Sequence, residues 1–148
     1  MSIIRLTIDE SGEYEEVEVI IKCSLIDKKL SRLIDHIRQY EITLIGKRKE
    51  RLYSISAEEL YYIESVDNKT FLYDEKEVYE SDLKLYELEK LVLESLFIRI
   101  SKNLIVNTFH IESVRALFNG RFEASLKNGE KVIVNRHYAR SFKEKFLT

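Results

Sequence analysis

Residues 97–107 read FIRISKNLIVN, two runs of strand-forming apolar residues with a polar interruption between them. Leu96, Ile98 and Ile100 alternate with Phe97 and Arg99, a period of two that sends one face of a strand into a core and leaves the arginine outside. Ser101, Lys102 and Asn103 break the run, and Leu104, Ile105 and Val106 resume it. The result is a short basic, amide-bearing protrusion held on both sides by buried hydrocarbon, a sound mount for a recognition element. An ordinary hairpin tip with a solvated lysine has the same pattern.

Toward the C-terminus, Asn119-Gly120 and Asn128-Gly129 bracket the alternating residues Phe122, Ala124 and Leu126. A strand is expected before the first pair, over residues 110–118, and another after the second, at Val132 and Val134. Asn-Gly supplies the positive φ angles of a two-residue hairpin turn, so the segment predicts a three-stranded meander. Asn135-Arg136-His137 closes its last strand. Tyr138, Phe142 and Phe146 then recur every four residues, as on a short terminal helix that also carries Arg140, Lys143 and Lys145.

Upstream, strand signals dominate from residue 41: Ile42 and Leu44, a charged turn at 46–50, then 52–55, 60–65, the Asp67-Asn68 turn, 70–73 and 77–79. Leu85, Leu88, Leu91 and Val92 share one helical face, which predicts a helix packed on the sheet. At the N-terminus, Ile4, Leu6 and Ile8, and then Val17, Val19, Ile21 and Cys23, alternate with polar neighbours around an acidic turn at Glu10-Ser11-Gly12, the pattern of a β-hairpin. Ser24 precedes Asp27 by three residues as a capping arrangement, and Ile26, Leu30, Leu33, Ile34 and Ile37 follow at helical spacing, predicting an amphipathic helix over 25–40. Residues 1–40 are therefore expected to form a small β-β-α unit, and residues 41–148 the main domain.

At 148 residues, 45% hydrophobic and 34% charged, the chain suits one soluble domain with a small appendage. No apolar run is long enough to cross a bilayer, and MSIIRLTIDE lacks the layout of a signal peptide, so a cytoplasmic location is expected. Cys23 is the only cysteine, which excludes an internal disulfide and a cysteine-based zinc site. The net charge of −2 hides an asymmetry: residues 1–96 hold 14 Lys/Arg against 22 Asp/Glu, net −8, and residues 97–148 hold 10 against 4, net +6. A basic third on an acidic remainder is the pattern expected when one surface meets a polyanion and the others avoid it.

Catalytic constellations are sparse. His36, His110 and His137 lie far apart with no second His or Cys at ligand spacing, Gly46-Lys47 lacks the preceding glycine of a phosphate loop, and no serine sits in a recognisable nucleophile elbow. No enzyme activity, cofactor, metal site or small-molecule substrate is expected.

The ordered series ELYYIES at 59–65, the aromatic strand after Asp67-Asn68-Lys69, the helix near 85–91, FIRISKNLIVN, IESVRALFNGRFEASLKNGEKVIVNR at 111–136 and the closing basic helix resembles the LytTR-type DNA-binding domain of bacterial transcriptional regulators, over residues 41–146. The resemblance implies a mainly β, elongated module of antiparallel sheets, α+β overall once the N-terminal unit is included. Such a module inserts loops into successive major grooves of double-stranded DNA and bends the duplex. It places Lys102 and Arg136 at the two principal base-reading positions, the arginine at the end of the last strand and able to pair bidentately with guanine O6 and N7. Lys69 and Thr70 fall near a third contact region, and Arg99, Ser101, Asn103, Asn107 and Arg121 become phosphate or supporting contacts.

Regulators of this group often carry an N-terminal receiver, whereas residues 3–40 read only as strand, strand and helix. The chain therefore looks like the short stand-alone LytTR regulators, whose activity is set by something other than phosphorylation of the same chain, in some cases by a membrane protein encoded nearby. The N-terminal unit is expected either to make a homodimer, in which two modules on adjacent sites sum their binding energies, or to pack on its own domain. Two other classes fit parts of the pattern: an RNA-binding β-module with aromatic stacking platforms, and a protein-interaction adaptor working through the acidic N-terminal unit.

Overall fold

The computed structural model describes residues 4–147. From residue 43 onward every alternating run finds a neighbouring strand. In chain order the elements are α1 (Lys28–Tyr40), β1 (Thr43–Arg48), β2 (Arg51–Ser56), β3 (Tyr62–Val66), β4 (Lys69–Tyr73), β5 (Val78–Ser81), α2 (Leu85–Leu91), β6 (Phe97–Ser101), β7 (Leu104–Asn107), β8 (Ile111–Ala116), β9 (Phe122–Leu126), β10 (Lys131–Val134) and α3 (Arg136–Phe146). Seven strands form one sheet in the order β2-β1-β5-β4-β3-β7-β6, and β10-β9-β8 form a second. All the pairings are antiparallel, as the mainly β, α+β expectation requires.

The β6–β7 hairpin lies between two hydrophobic cores. Phe97 and Ile105 enter the one built with Leu44, Ile63, Leu72 and Leu88, whereas Ile100 and Val106 enter the other, with Leu126, Val134 and Phe142. The expectation that one face of this stretch stays outside is thus corrected: both faces are covered, because the second sheet and α3 close over the side that the first core leaves open. Gly46 on β1 allows the same tightness elsewhere, since a Cβ there would stand 2.6 Å from Tyr79 Cβ and 2.8 Å from Ile55 Cδ1.

The meander forms, but not on two-residue turns. Ala116 pairs with Phe122 across a five-residue loop containing a short 3-10 turn at Phe118–Gly120, and Leu126 pairs back to Glu130 through its N–H. Asn119, Gly120 and Gly129 do adopt positive φ, as Asn-Gly predicts; the strands end too early for these pairs to be the whole connection.

The expected N-terminal hairpin is not formed. Residues 4–27 carry no helix or strand, although the turn is present, with the Tyr14 N–H donating to the Ser11 carbonyl at 3.2 Å. Alternation makes a segment fit to pair, and here nothing within the described residues lies beside it. The helix starts at Lys28 rather than at residue 25, because Asp27 itself is the cap and its Oδ1 accepts from Leu30 N–H at 2.8 Å.

α1 docks on the rest of the chain through polar groups. Arg32 donates to the Phe146 carbonyl at 3.2 Å, Asp35 pairs with Lys145 at 3.2 Å, and His36 Nε2 meets Glu58 Oε1 at 2.9 Å. Gln39, fully buried, accepts from Leu96 N–H at 3.0 Å and donates to Asn107 Oδ1 at 3.3 Å. None of Leu30, Leu33, Ile34 or Ile37 joins either core.

Candidate nucleic-acid interface

The β3–β7 ladder and two backbone hydrogen bonds gather three junctions that are distant in sequence. The Ser65 N–H donates to the Asn103 carbonyl at 2.8 Å, which ties the β3–β4 turn to the β6–β7 tip. The Asn135 N–H donates to the Ile100 carbonyl at 2.9 Å, which ties the start of α3 to the same hairpin. The second bond depends on an irregularity: the β6–β7 pairing goes from Arg99↔Ile105 to Ser101↔Leu104 and skips Ile100. A bulge of this kind re-aims the residues that follow it, and here it releases a carbonyl to the start of α3.

Lys69, Lys102 and Arg136 are therefore brought together, and all three are exposed. Lys69 follows a two-residue turn, Asp67-Asn68, with φ of 51° and 65°, the left-handed pair that a tight hairpin requires. Lys84 Nζ braces that turn by donating to the Asn68 carbonyl at 3.0 Å. Arg136 is the first residue of α3, with Asn135 before it as the cap, and not the end of a strand as the sequence suggests. Arg121 joins the group by register, since it precedes Phe122, the partner of Val134. Gly120 (φ 74°) lies against Arg136, and a Cβ there would come within 3.3 Å of Arg136 Cγ.

Arg99 shapes the tip from below. Its Nε donates to the Ser101 carbonyl at 2.9 Å, one Nη to the Lys102 carbonyl, and the other pairs with Glu89 Oε1 at 2.7 Å. Ser101 Oγ accepts from Asn103 N–H at 3.2 Å and tightens the same turn. Asn103 is exposed. Two other named residues are not at the surface. Thr70 is 2% exposed and Asn107 0% exposed, the latter donating to the Leu60 carbonyl at 2.8 Å and accepting from Phe109 N–H at 3.1 Å. The strand period carried this signal: Thr70 shares a face with Leu72, and Asn107 with Ile105, both core residues.

Arg140 and Lys143, on the terminal helix but not among the site residues the sequence points to, line one cleft with Gly120, Phe122 and Arg136. Their spacing, four and seven residues after Arg136, is that of a single helical face. Lys143 Nζ stands 5.8 Å from the Phe122 ring centre, and Arg140 pairs loosely with Glu144 at 3.6 Å. Phe118, at the neighbouring loop, is 84% exposed.

Elsewhere the ionisable groups serve packing. His110 stacks on Tyr61 with ring centres 4.1 Å apart and contacts the Glu58 carbonyl, and burial holds its pKa below the ordinary imidazole value. Burial and a 3.1 Å bond to Glu64 push the Tyr73 phenol up to about 12. Among the described residues no group of His, Cys, Asp and Glu is placed to hold a metal ion, and no helix is long and apolar enough to cross a membrane.

Comparison with known proteins supplies the family. The family model of the LytTr DNA-binding domain matches residues 50–147. A solved LytTr DNA-binding domain from Bacillus cereus superposes with a TM-score of 0.66 and 28% identity, over 70% of this chain and 94% of that one. The sensory transduction protein LytT of Enterococcus faecalis is 29% identical over 97 residues, which cover 66% of this chain and 40% of that protein. An uncharacterized HTH-type transcriptional regulator of Staphylococcus aureus is 28% identical over 131 residues, covering 82% of this chain and 88% of the relative. The relative's name refers to a helix-turn-helix, but each of the three helices among the described residues is separated from the next by strands. The matched span, the superposition and the order of strands together make this chain a member of the LytTR family of DNA-binding domains.

Proposed function

We propose that the protein is a sequence-specific transcriptional regulator that reads double-stranded DNA with the junctions gathered around the β6–β7 tip, entering successive major grooves. The observation that carries this reading is the convergence of Lys69, Lys102 and Arg136 through the Ser65–Asn103 and Ile100–Asn135 backbone bonds. Lys102 and Arg136 are the base-reading candidates, and the planar fork of the arginine matches guanine O6 and N7. Lys69, Asn103, Arg121, Arg140 and Lys143 surround them as backbone contacts, which fix the register of the protein on the duplex. Arg99 and Ser101 hold the tip, while Thr70 and Asn107 support the strands beneath it. Two copies on adjacent half-sites would add their binding energies.

A mobility-shift titration of the full chain against its own promoter region tests the reading. Lys102→Ala and Arg136→Ala are each expected to cost about 1–3 kcal/mol of specific binding. Log affinity is expected to fall linearly with log salt, with a slope near −0.9 for each phosphate neutralised. Unchanged binding by both variants removes the surface.

A further inference from the structure

The 24 described residues before α1 pose a question that the DNA-binding surface leaves unanswered. Ile4, Leu6, Ile8, Val17, Leu25 and Ile26 are 59–94% exposed, although they alternate or cluster as core residues do. The turn between the two runs is preformed: Tyr14 OH donates to Asp9 Oδ2 at 2.6 Å and Glu13 N–H to Ser11 Oγ at 3.2 Å. Among the described residues, the Tyr14–Ser11 bond is the one backbone hydrogen bond between residues 4 and 26. The strand-like runs on either side therefore present unpaired amides and carbonyls, which is the template for adding a strand from another chain.

The helix that follows repeats the pattern. Arg32, Asp35, His36 and Gln39 fasten α1 to its own domain, while Leu30, Leu33, Ile37 and Tyr40 recur three and four apart along a different stripe, the spacing of a helix–helix seam. Leu33 is 44% and Tyr40 73% exposed.

We infer that this arm and the half-open stripe of α1, with Leu33 and Tyr40 exposed and Leu30 and Ile37 half-buried, form a docking surface for a second copy of the same chain, with the strand-like runs of the two copies pairing into one sheet and the two α1 stripes covering it. The inference deepens the two-copy part of the proposed function and does not depend on which residues read DNA. Three observations favour a second copy as the occupant. Summed residue by residue, the exposed apolar side chains of arm and stripe come to on the order of 1,000 Å², comparable to the roughly 800 Å² that each partner gives up in a standard interface. Charges complement across a two-fold axis: residues 4–26 carry two Lys/Arg against six Asp/Glu, net −4, and α1 carries four against one, net +3. Finally, a surface that holds both two unpaired strand-like runs and a helix able to cover them is self-complementary, as an isologous dimer requires. Duplex DNA is excluded as occupant by the sign of the arm's charge.

The test needs no DNA. Molar mass of the full chain is measured by light scattering or sedimentation over a hundredfold dilution, together with hydrogen–deuterium exchange of the amides of residues 4–8 and 17–23. A dimer whose arm amides lose protection as it dissociates is the expected result. Leu6→Asp and Leu33→Asp are expected to weaken dimerisation by on the order of 100-fold or more while leaving the unfolding transition of the main domain in place. Protection that persists once the chain is monomeric shows the arm folding on its own domain and overturns the inference. A dimer with an unprotected arm overturns this surface while leaving the two-copy reading intact, and a monomer at every concentration overturns both.

Discussion

Replacing Arg99 with Met keeps the aliphatic stem of the side chain and removes the guanidinium that braces the β6–β7 tip. The structure gives the loss three parts: the 2.7 Å pair with Glu89, the 2.9 Å bond to the Ser101 carbonyl and the bond to the Lys102 carbonyl. The Arg99 and Glu89 side chains are 21% and 38% exposed, so water screens the pair and it contributes at the low end for an ion pair. The two carbonyl bonds have a charged donor, which makes each worth more than a neutral bond, and water reaches the freed carbonyls in the variant. The total is about 2–4 kcal/mol of stability, or a fall in Tm of roughly 6–12 °C. Re-ordering Ser101, Lys102 and Asn103 on DNA then costs on the order of 1–2 kcal/mol, about 5–30-fold in affinity. Denaturant unfolding and a binding titration well below Tm separate the two effects. Glu89→Gln is the control: it leaves both carbonyl bonds in place and is expected to lose about 1 kcal/mol or less, with unchanged binding. A folded Arg99→Met protein that binds DNA within twofold of the parent would refute the bracing role.

Other substitutions test the scaffold. Gln39→Leu leaves Leu96 N–H and one side of Asn107 without a partner in a fully buried site and is expected to cost about 2–4 kcal/mol, measured by denaturant unfolding. Gly46→Ala places a methyl 2.6 Å from Tyr79 Cβ, an atom fixed to the backbone, so β1 and β5 must separate; about 2–3 kcal/mol is expected by the same measurement. Acidification reports on His110. Its folded pKa lies below the unfolded value near 6.5, so the unfolded state binds more protons in that interval. Its contribution to stability is full above about pH 6.5, declines as pH falls toward the folded pKa and levels off below it. A Tm series from pH 7.5 to 5 is expected to show a component of this sign that is absent from His110→Gln.

The strands of the main domain were legible because a period of two in a half-buried sheet is a direct imprint of the pleat. Partnership was not. Val17, Val19 and Ile21 alternate as cleanly as Phe122, Ala124 and Leu126, but only the latter have neighbours within the described residues. The bulge at Ile100 was hidden for a related reason: whether a carbonyl faces β7 or Asn135 is decided by a sheet that folds from residues well downstream. Arg136 reads as a strand end because Asn135 follows Val134 without a break, whereas the i, i+4 series from Tyr138 already announces a helix nearby. The resemblance alone places Thr70 and Asn107 among the contacts, whereas the parity of their strands puts both on a core face. Arg140 and Lys143 needed only the helical period measured from Arg136.

The gathered cations come from three junctions, two on neighbouring strands of the large sheet and the third reached from the second core through the Ile100–Asn135 contact. Each exposed side chain stands on its own turn or helix start, so a replacement of one leaves the backbone of the other two in place, much as one pin of a tumbler lock can be recut without disturbing its neighbours. On the proposed reading, operator preference can drift position by position over evolutionary time, whereas a regulator that lays a single helix in the groove turns all its side chains whenever that rod shifts.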